Sequence, residues 1–538
     1  MTASSAPRSR TVDAIFLQVA WSRLIATMDA AAVTLRRTAV SALVRECNDF
    51  GLVLSDSRGR ALVEPRIALA GPSNTVGYVL REFGDSIAPG DVFVTNDAWE
   101  GTGHIHDIII VVPIFGDDGR LVGLCGSTAH APDIGGRFIG MDNRSVFEEG
   151  VQIPLARLYE RGEPNELLFK LISSNVRLPA EVLGDVEAQV AANRFVAQRV
   201  LELLHDYELD SLDMLADAIL DQTEQAIRAA IETLPVGSWT AEHVVDSIEP
   251  APVLRVRVTK EPGARVLKLD FSETTAQQEW ACNLPINSTR SQCEKALATF
   301  LIPQLPPNDG ARTGLEVIAP AGTIVSARHP APTGMRHVVS HAVHSLLLRC
   351  FSQIDAGRVR ADPGTPGWVV HCSGIDRRGK EFADDFLQYG GLGAGRDHDG
   401  RHCASFPVNA MNAPVEVLEE RFPIHFTRRS LRDGSGGRGR WRGGLGQVIE
   451  FVVEGDAPLE TVISATRVSA PPRGLDGGEH GARGAVYLND QELDVMDMRQ
   501  TLRAGDVVRL ELPGGGGYGA PAERDAEAAA RDERMGYA

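Results

Sequence analysis

Lysine is scarce in this chain of 538 residues: it occurs five times, at positions 170, 260, 268, 295 and 380, and is never followed by Ser or Thr. No GxxxxGK[ST] loop exists, so any ATP chemistry the protein takes part in is not supplied by a P-loop of its own. Basic charge is short as a whole, with 54 Lys and Arg against 72 Asp and Glu and a formal net charge of −18. Neutralising phosphates takes a basic surface, which argues against nucleic acid as the main partner. Long apolar runs are missing too. The longest, Ile108–Val112 continuing through Pro113 to Phe115, is strand-sized, well under the ~20 residues a membrane helix needs. The opening ten residues, Met-Thr-Ala-Ser-Ser-Ala-Pro-Arg-Ser-Arg, have no apolar core behind their basic side chains, so no secretory signal is expected. The seven cysteines are odd in number, scattered and without a CxxC pair. That speaks against a disulfide scaffold or zinc ribbon and for reduced thiols in a cytoplasmic protein.

The 43% hydrophobic and 23% charged residues are ordinary for globular proteins and exclude wholesale disorder. The length exceeds one folding unit. Leu17, Trp21, Leu24, Met28 and Leu35 fall near one face of a helix over 13–37, behind a cap at Asp13. From about 50 to 155, short β-branched runs alternate with turns: Leu52–Leu54, Val92–Thr95, and Ile108–Phe115 with Leu121–Leu124. The last two flank Gly116-Asp117-Asp118-Gly119, a strong hairpin signal. Residues 165–233 read as helical, 238–275 as strands, and 285–303 and 335–351 as helices. From about 420 to 520 glycine-rich short strands follow, including Gln447–Val453, Thr461–Ala465 and Val507–Leu510. The expected fold is α+β and multidomain. It comprises a β-rich metal-binding N-terminal region (1–160), a helical middle (161–236), a mixed α/β segment (237–415), a small Gly-rich β unit (416–521) and a flexible tail (522–538).

Chemistry concentrates between Val92 and Gly136. Gly103-His104-Ile105-His106-Asp107 precedes the first hairpin arm and His130-Ala131-Pro132-Asp133 ends the second. If Ile108–Phe115 pairs antiparallel with Leu121–Ala129, both polar knots meet at the open end, with Asp107 across from His130 and His104 just upstream. Two imidazoles and a carboxylate at one point form a ligand set for Zn, Mn or Fe. Gly101 and Gly103 permit the close backbone approach this needs. Histidines and aspartates beside turns are also common without any metal. A second histidine group, His337, His341 and His344, lies on one helical face with HxxxH spacing. It is a runner-up metal site, but no acid sits between them and Ser345-Leu346-Leu347-Leu348 continues as core, which favours a packed or hydrogen-bonded role. Gly434-Ser435-Gly436-Gly437-Arg438-Gly439 satisfies GxGxxG, but no buried strand precedes it, so no dinucleotide site is expected.

These stretches resemble the hydantoinase B/oxoprolinase family. Asn96-Asp97, Gly101 to Ile108 and Ala129-His130-Ala131-Pro132-Asp133-Ile134-Gly135-Gly136 are similar to its N-D-P, G-G-T-H-x-x-D-I and A-H-H-x-D-I-G-G segments. Arg45 to Phe50, Glu148-Glu149-Gly150, Pro307-Asn308-Asp309-Gly310, Arg440 to Gly444 and Pro513 to Gly519 extend the likeness, in order, along almost the whole chain. The resemblance implies one divalent metal ion, Zn²⁺ or Mn²⁺, on His104, Asp107, His130 and an upstream acid, Glu46, with Asp49 competing. Departures are Ala98 after Asn96-Asp97, Ala131 for the second histidine of H-H, Gly51 for the serine, and His106 in place of a proline.

The implied chemistry is ATP-dependent opening of a cyclic amide such as a hydantoin, 5-oxoproline or a lactam. A separate hydantoinase A-like ATPase subunit uses the ATP to phosphorylate the amide oxygen, and the metal here supplies a hydroxide near neutral pH and stabilises oxyanion charge. Asp133 or His106 is placed to shuttle protons, or to orient a ligand. Asn96, Asp97 and Arg467 are candidate substrate-binding residues, Arg467 fitting an ordinary salt bridge equally well. Alternatives are a subunit of an acetone- or acetophenone-type carboxylase, and a non-catalytic scaffold of the ATPase complex.

Overall fold

The computed structural model describes residues 13–66, 69–246, 248–408, 410–494 and 498–537. The N-terminal stretch expected to lack a secretory signal lies outside these residues. Helix α1 (Ala14–Thr38) starts where expected, with Asp13 accepting the Phe16 N–H. It buries Trp21, Leu24, Met28 and Leu35 in one face. A single turn, α2 (Ala42–Arg45), leads into an eight-stranded sheet. Its members are β1 (Phe50–Asp56), β2 (Ala61–Val63), β3 (Leu69–Ala70), β4 (Val92–Thr95), β5 (Asp107–Phe115), β6 (Leu121–His130), β7 (Ala156–Glu160) and β8 (Glu163–Pro164). The order is β2-β1-β6-β5-β4-β7-β8, with β3 beside β1.

The β5–β6 hairpin forms the middle of this sheet, covered on both faces. Ile109 and Val111 pack toward α3 (Ser73–Phe83), in a cluster with Val76 and Val79. Ile108, Ile110 and Val112 pack with Val182, Val186 and Val190 of the long helix α6 (Pro179–Asp206). Two-sided burial explains why this strand reads as an unbroken apolar run rather than an alternating one. The short α4 (Val146–Glu149) and α5 (Glu166–Asn175) complete this part, and α7 (Asp213–Glu232) leads out of it.

A second sheet, ordered β12-β11-β10-β9, follows: β9 (Gly237–Val244), β10 (Val253–Lys260), β11 (Leu267–Asp270) and β12 (Leu315–Ile318). It shares a core with α8 (Ile286–Leu301) and α9 (His337–Asp355). The C-terminal part holds β13 (Trp368–Ile375), β14 (Glu381–Gln388), α10 (Val415–Arg421), β15 (Ile424–Leu431), β16 (Gln447–Val453), β17 (Leu459–Ser464), β18 (Ala485–Leu488), β19 (Gln491–Glu492), β20 (Arg499–Leu502) and β21 (Val507–Glu511). These form two sheets, β14-β13-β17-β20 and β15-β16-β21-β18-β19. The chain is thus mixed α and β with several sheets.

The expected boundaries need correction. The division at 415/416 cuts a sheet, since β13 pairs with both β14 and β17. The division at 236/237 parts α7 from a core it belongs to: Leu215 and Ile219 pack into the N-terminal core, Ile227 and Ile231 into the next. The tail is not flexible throughout, because Ala526–Met535 forms α11. Asp525 caps it, and the buried Asp532 is neutralised by Arg524 at 2.7 Å and Arg442 at 3.4 Å. At the GxGxxG stretch, a side chain on Gly436 would lie 2.2 Å from the Gly443 carbonyl oxygen. Glycine there serves backbone packing.

Candidate metal centre

Antiparallel pairing of β5 with β6 sets Asp107 directly opposite His130. The loop before β5 crosses tightly over α8. Gly103 has φ of +106°, and a side chain on it would lie 2.1 Å from Ser288 Oγ. This crossing turns His104 back toward the hairpin end. His104 Nε2 lies 2.9 Å from Asp107 Oδ1, and His130 Nδ1 lies 3.1 Å from the same oxygen. Among the described residues these three form the one His/Cys/Asp/Glu group whose ligand atoms all lie within 4.8 Å of one another. All three line a cavity of about 710 Å³, large enough for a small-molecule ligand.

The surroundings fix which atom of each ring faces inward. His104 Nδ1 donates to the Gly334 carbonyl oxygen at 3.2 Å. Gly334 is itself held, since its N–H and that of Thr333 donate to the buried Glu149 at 2.7 and 2.6 Å. The lone pair of His104 therefore sits on Nε2, which is buried and, although close to Asp107, makes no hydrogen bond. His130 turns Nε2 toward Asp385 Oδ2 at 3.7 Å, leaving Nδ1 for the Asp107 side. Asp385 is gripped in turn by His371 Nδ1 at 2.6 Å, across the β13–β14 ladder. The second oxygen of Asp107 accepts from Thr102 Oγ1 at 2.5 Å and from Arg336 at 3.0 Å.

Charge follows this geometry. Burial lowers His104 to about 4, aided by Arg336. Burial also opposes the charge on Asp107, but His104, His130 and Arg336 hold it well below the usual carboxylate range. His130 goes the other way: despite burial, the neighbouring carboxylates of Asp107 and Asp385 push it up to about 10. Asp49, also lining the cavity, is raised by burial to about 6. Two imidazoles and a carboxylate, one imidazole nitrogen orphaned and buried, are a donor set fitted to a divalent cation. The hydrogen bonds behind them are of the kind that orient metal ligands.

The other expected site residues, Glu46, Asp133, His106, Asn96, Asp97 and Arg467, do not line the cavity. Glu46 is at the end of α2, beside the exposed Arg45 at 3.8 Å, and does not line the cavity. The left-handed turn at Asn48 (φ 59°) brings Asp49 instead to β6, where its carbonyl accepts the His130 N–H. Asp133 is buried and committed to the Arg177 backbone N–H and guanidinium and to Gly135, away from the cavity. His106 stacks on His130, ring centroids 5.7 Å apart, but does not line the cavity; burial keeps it well below its usual pKa. Asn96 ties its loop to Ile105, Val151 and Ile153, and Asp97 caps the turn at Trp99 and Glu100. Arg467 is buried beside Asp362 and Asp246. The α9 histidines do not converge: His337 bonds Ser464 at 2.6 Å, and His344 packs against Phe406. Sequence reasoning missed Arg336, His371 and Asp385. Each reaches the site only through long-range strand or helix packing, which no local spacing signals.

The profile of the family described as Hydantoinase B/oxoprolinase matches residues 13–521. A protein of Pseudomonas sp. (strain NS671), named as the B-type subunit of a D-/L-hydantoinase, is 30% identical over 560 residues, spanning 98% of this chain and 93% of its own. The 5-oxoprolinase 1 of Arabidopsis thaliana is 26% identical; its match spans 96% of this chain but 43% of that longer protein. Among solved structures, the ATP-dependent caprolactamase of Pseudomonas jessenii superposes with a TM-score of 0.87 at 25% identity, over 98% of this chain and 95% of its own. Nucleotide-free acetone carboxylase shares the fold, with a TM-score of 0.84 at 19% identity over 98% of this chain and 78% of that one.

Proposed function

This chain belongs to the hydantoinase B/oxoprolinase family, and from that premise we propose that it is the metal-bearing subunit of an ATP-dependent cyclic-amide hydrolase. Its substrate is a hydantoin-, oxoproline- or lactam-type ring activated by a separate ATPase subunit. The observation that carries this reading is the meeting of His104, Asp107 and His130 at the wall of a cavity of small-molecule size.

His104 through Nε2, Asp107 and His130 through Nδ1 would hold the ion, Zn²⁺ or Mn²⁺, with Asp49 rather than Glu46 as the further acid. Bound there, a divalent cation lowers the pKa of water and polarises a carbonyl or phosphoryl oxygen. The protein's own groups supply the remainder. Glu149 fixes Gly334, which fixes the His104 ring. Asp385 and His371 orient His130, while Arg336 and Thr102 hold Asp107 in one rotamer. An amide resists hydrolysis because resonance weakens its carbonyl as an electrophile, so prior phosphorylation by the partner supplies the activation.

The test is reconstitution with the ATPase partner and assay of ring-opened product from 5-oxoproline, hydantoin and caprolactam, with ATP, before and after chelation. Losing partners behind a metal ligand typically costs 10–100-fold, so His104→Ala, which removes a ligand, is expected to cost more than about 100-fold. Product formation indifferent to both chelation and His104→Ala would overturn the reading. A carboxylated product dependent on bicarbonate would instead make this a carboxylase subunit.

A further inference from the structure

One face of α8 walls the cavity along much of its length. Ser288, Ser291, Lys295 and Thr299 follow at helical spacing and all line it. Ser288 marks the end nearest the triad, its Oγ donating to the Thr102 carbonyl at 2.8 Å. At 1.5 Å per residue, Lys295 stands roughly 10 Å farther along and Thr299 roughly 16 Å.

Lys295 is one of the five lysines in the chain, and half-buried in the wall of this cavity it makes no hydrogen bond or ion pair to any described residue. Burial lowers its pKa. Two of the acids nearby are otherwise engaged. Glu294 and Asp309 both pair with Arg312 at 3.0 Å. Glu64, which accepts the Gly71 N–H at 3.3 Å, is the carboxyl that acts most strongly on Lys295, and burial pushes it up to about 7, so it is partly protonated at neutral pH. The other cations lining the cavity have partners: Arg336 pairs with Asp107, Arg312 with Glu294 and Asp309, and Arg66 with Asp29. The first turn of α9, which has no side-chain cap, opens on the same space through His337 and Ser340. A helix N-terminus favours anions. With Glu64 partly protonated, the half-buried ammonium is incompletely compensated, and an anion in the cavity would complete its pairing.

We infer that Lys295 anchors an anionic oxygen-bearing group of the substrate, a phosphoryl or a carboxylate, at a subsite along α8 from the His104–Asp107–His130 triad. This deepens the cyclic-amide reading and rests on it. The substrate class becomes a ring that carries a carboxylate, or one whose phosphoryl group from the activation step is still attached on arrival.

The experiment titrates the full chain, dialysed against chelator, with inorganic phosphate and separately with acetate at fixed ionic strength, reading binding by calorimetry and thermal stabilisation. Saturable binding of at least one anion is expected, weakened at least tenfold in Lys295→Met and kept within threefold in Lys295→Arg. Phosphate alone points to the phosphoryl group, acetate alone to a carboxylate, and both to recognition of charge; each supports the subsite. Equal binding by wild type and Lys295→Met, or no binding of either anion to wild type, overturns it. Methionine matches the stem in length, and Lys295→Gln is a second neutral variant should it fail to fold. Metal content is measured separately on undialysed protein. Wild type without metal sinks the metal-centre reading and leaves the anion titration readable, while Lys295→Met should retain wild-type metal.

Discussion

Two groups of histidines lie at or behind the wall of the same cavity and differ in what holds them. His104 and His130 reach Asp107 because a hairpin ladder fixes one pair opposite the other and a glycine crossing folds the third back. His337, His341 and His344 share one helical face, yet each finds a different neighbour: Ser464, the cavity and Phe406. A helix face aligns side chains side by side, whereas two strands across a ladder aim them at one another. Spacing along a helix therefore says less about a metal site than register between strands.

The largest expected effect lies in the hairpin group. Asp107 approaches both imidazoles through one oxygen and Thr102 and Arg336 through the other. Asp107→Ala removes the common point and is expected to abolish metal retention, a drop of about 100-fold or more by elemental analysis against wild type. Wild-type metal in that variant would break the comparison outright.

A graded effect comes from pH. In the metal-free chain His130 is a cation below about 10, and binding through Nδ1 must expel that proton. Affinity should therefore rise with pH, by about tenfold per unit between pH 6 and 9. Below about 6, protonation of Asp49 steepens the loss. The α9 group has the opposite signature: burial lowers His341 and His344 to about 3, so neither carries a proton to expel in this range. Competition against a chromophoric chelator from pH 6 to 9 separates the two, and a flat profile would move the ion toward α9.

The elements that depend on local pattern were legible in the residues. Asp13 and the stripe from Trp21 to Leu35 set α1, and Asp117-Asp118-Gly119 between two apolar runs set the hairpin and its register. Register alone placed Asp107 opposite His130, and the glycine-flanked loop just upstream added His104. Asp49 and Glu46 were separable only through the left-handed turn at Asn48, because either acid is close enough in sequence. Arg336, His371 and Asp385 come from segments more than 200 residues downstream, brought in by α9 and by the β13–β14 ladder. Nothing in their own neighbourhoods marks them. Asp133, Asn96 and Asp97 carry motif-like polarity that the fold spends on its own turns, which a sequence does not distinguish from polarity kept for a ligand.

The smallest effect tests the helix side of the contrast. His344 is fully buried, and neither of its ring nitrogens finds a partner. An unsatisfied buried polar group costs about 1–3 kcal/mol, and a flexible apolar side chain of similar reach fills such a space well. His344→Met is therefore expected to leave metal content at the wild-type value and to hold or raise the unfolding midpoint by about 1–2 kcal/mol equivalent in denaturant. If the imidazole instead served an ion with His341, the same change would lower metal content while Asp107→Ala left part of it. Elemental analysis of the two variants beside wild type makes the distinction, because both outcomes cannot occur in one protein with a single site.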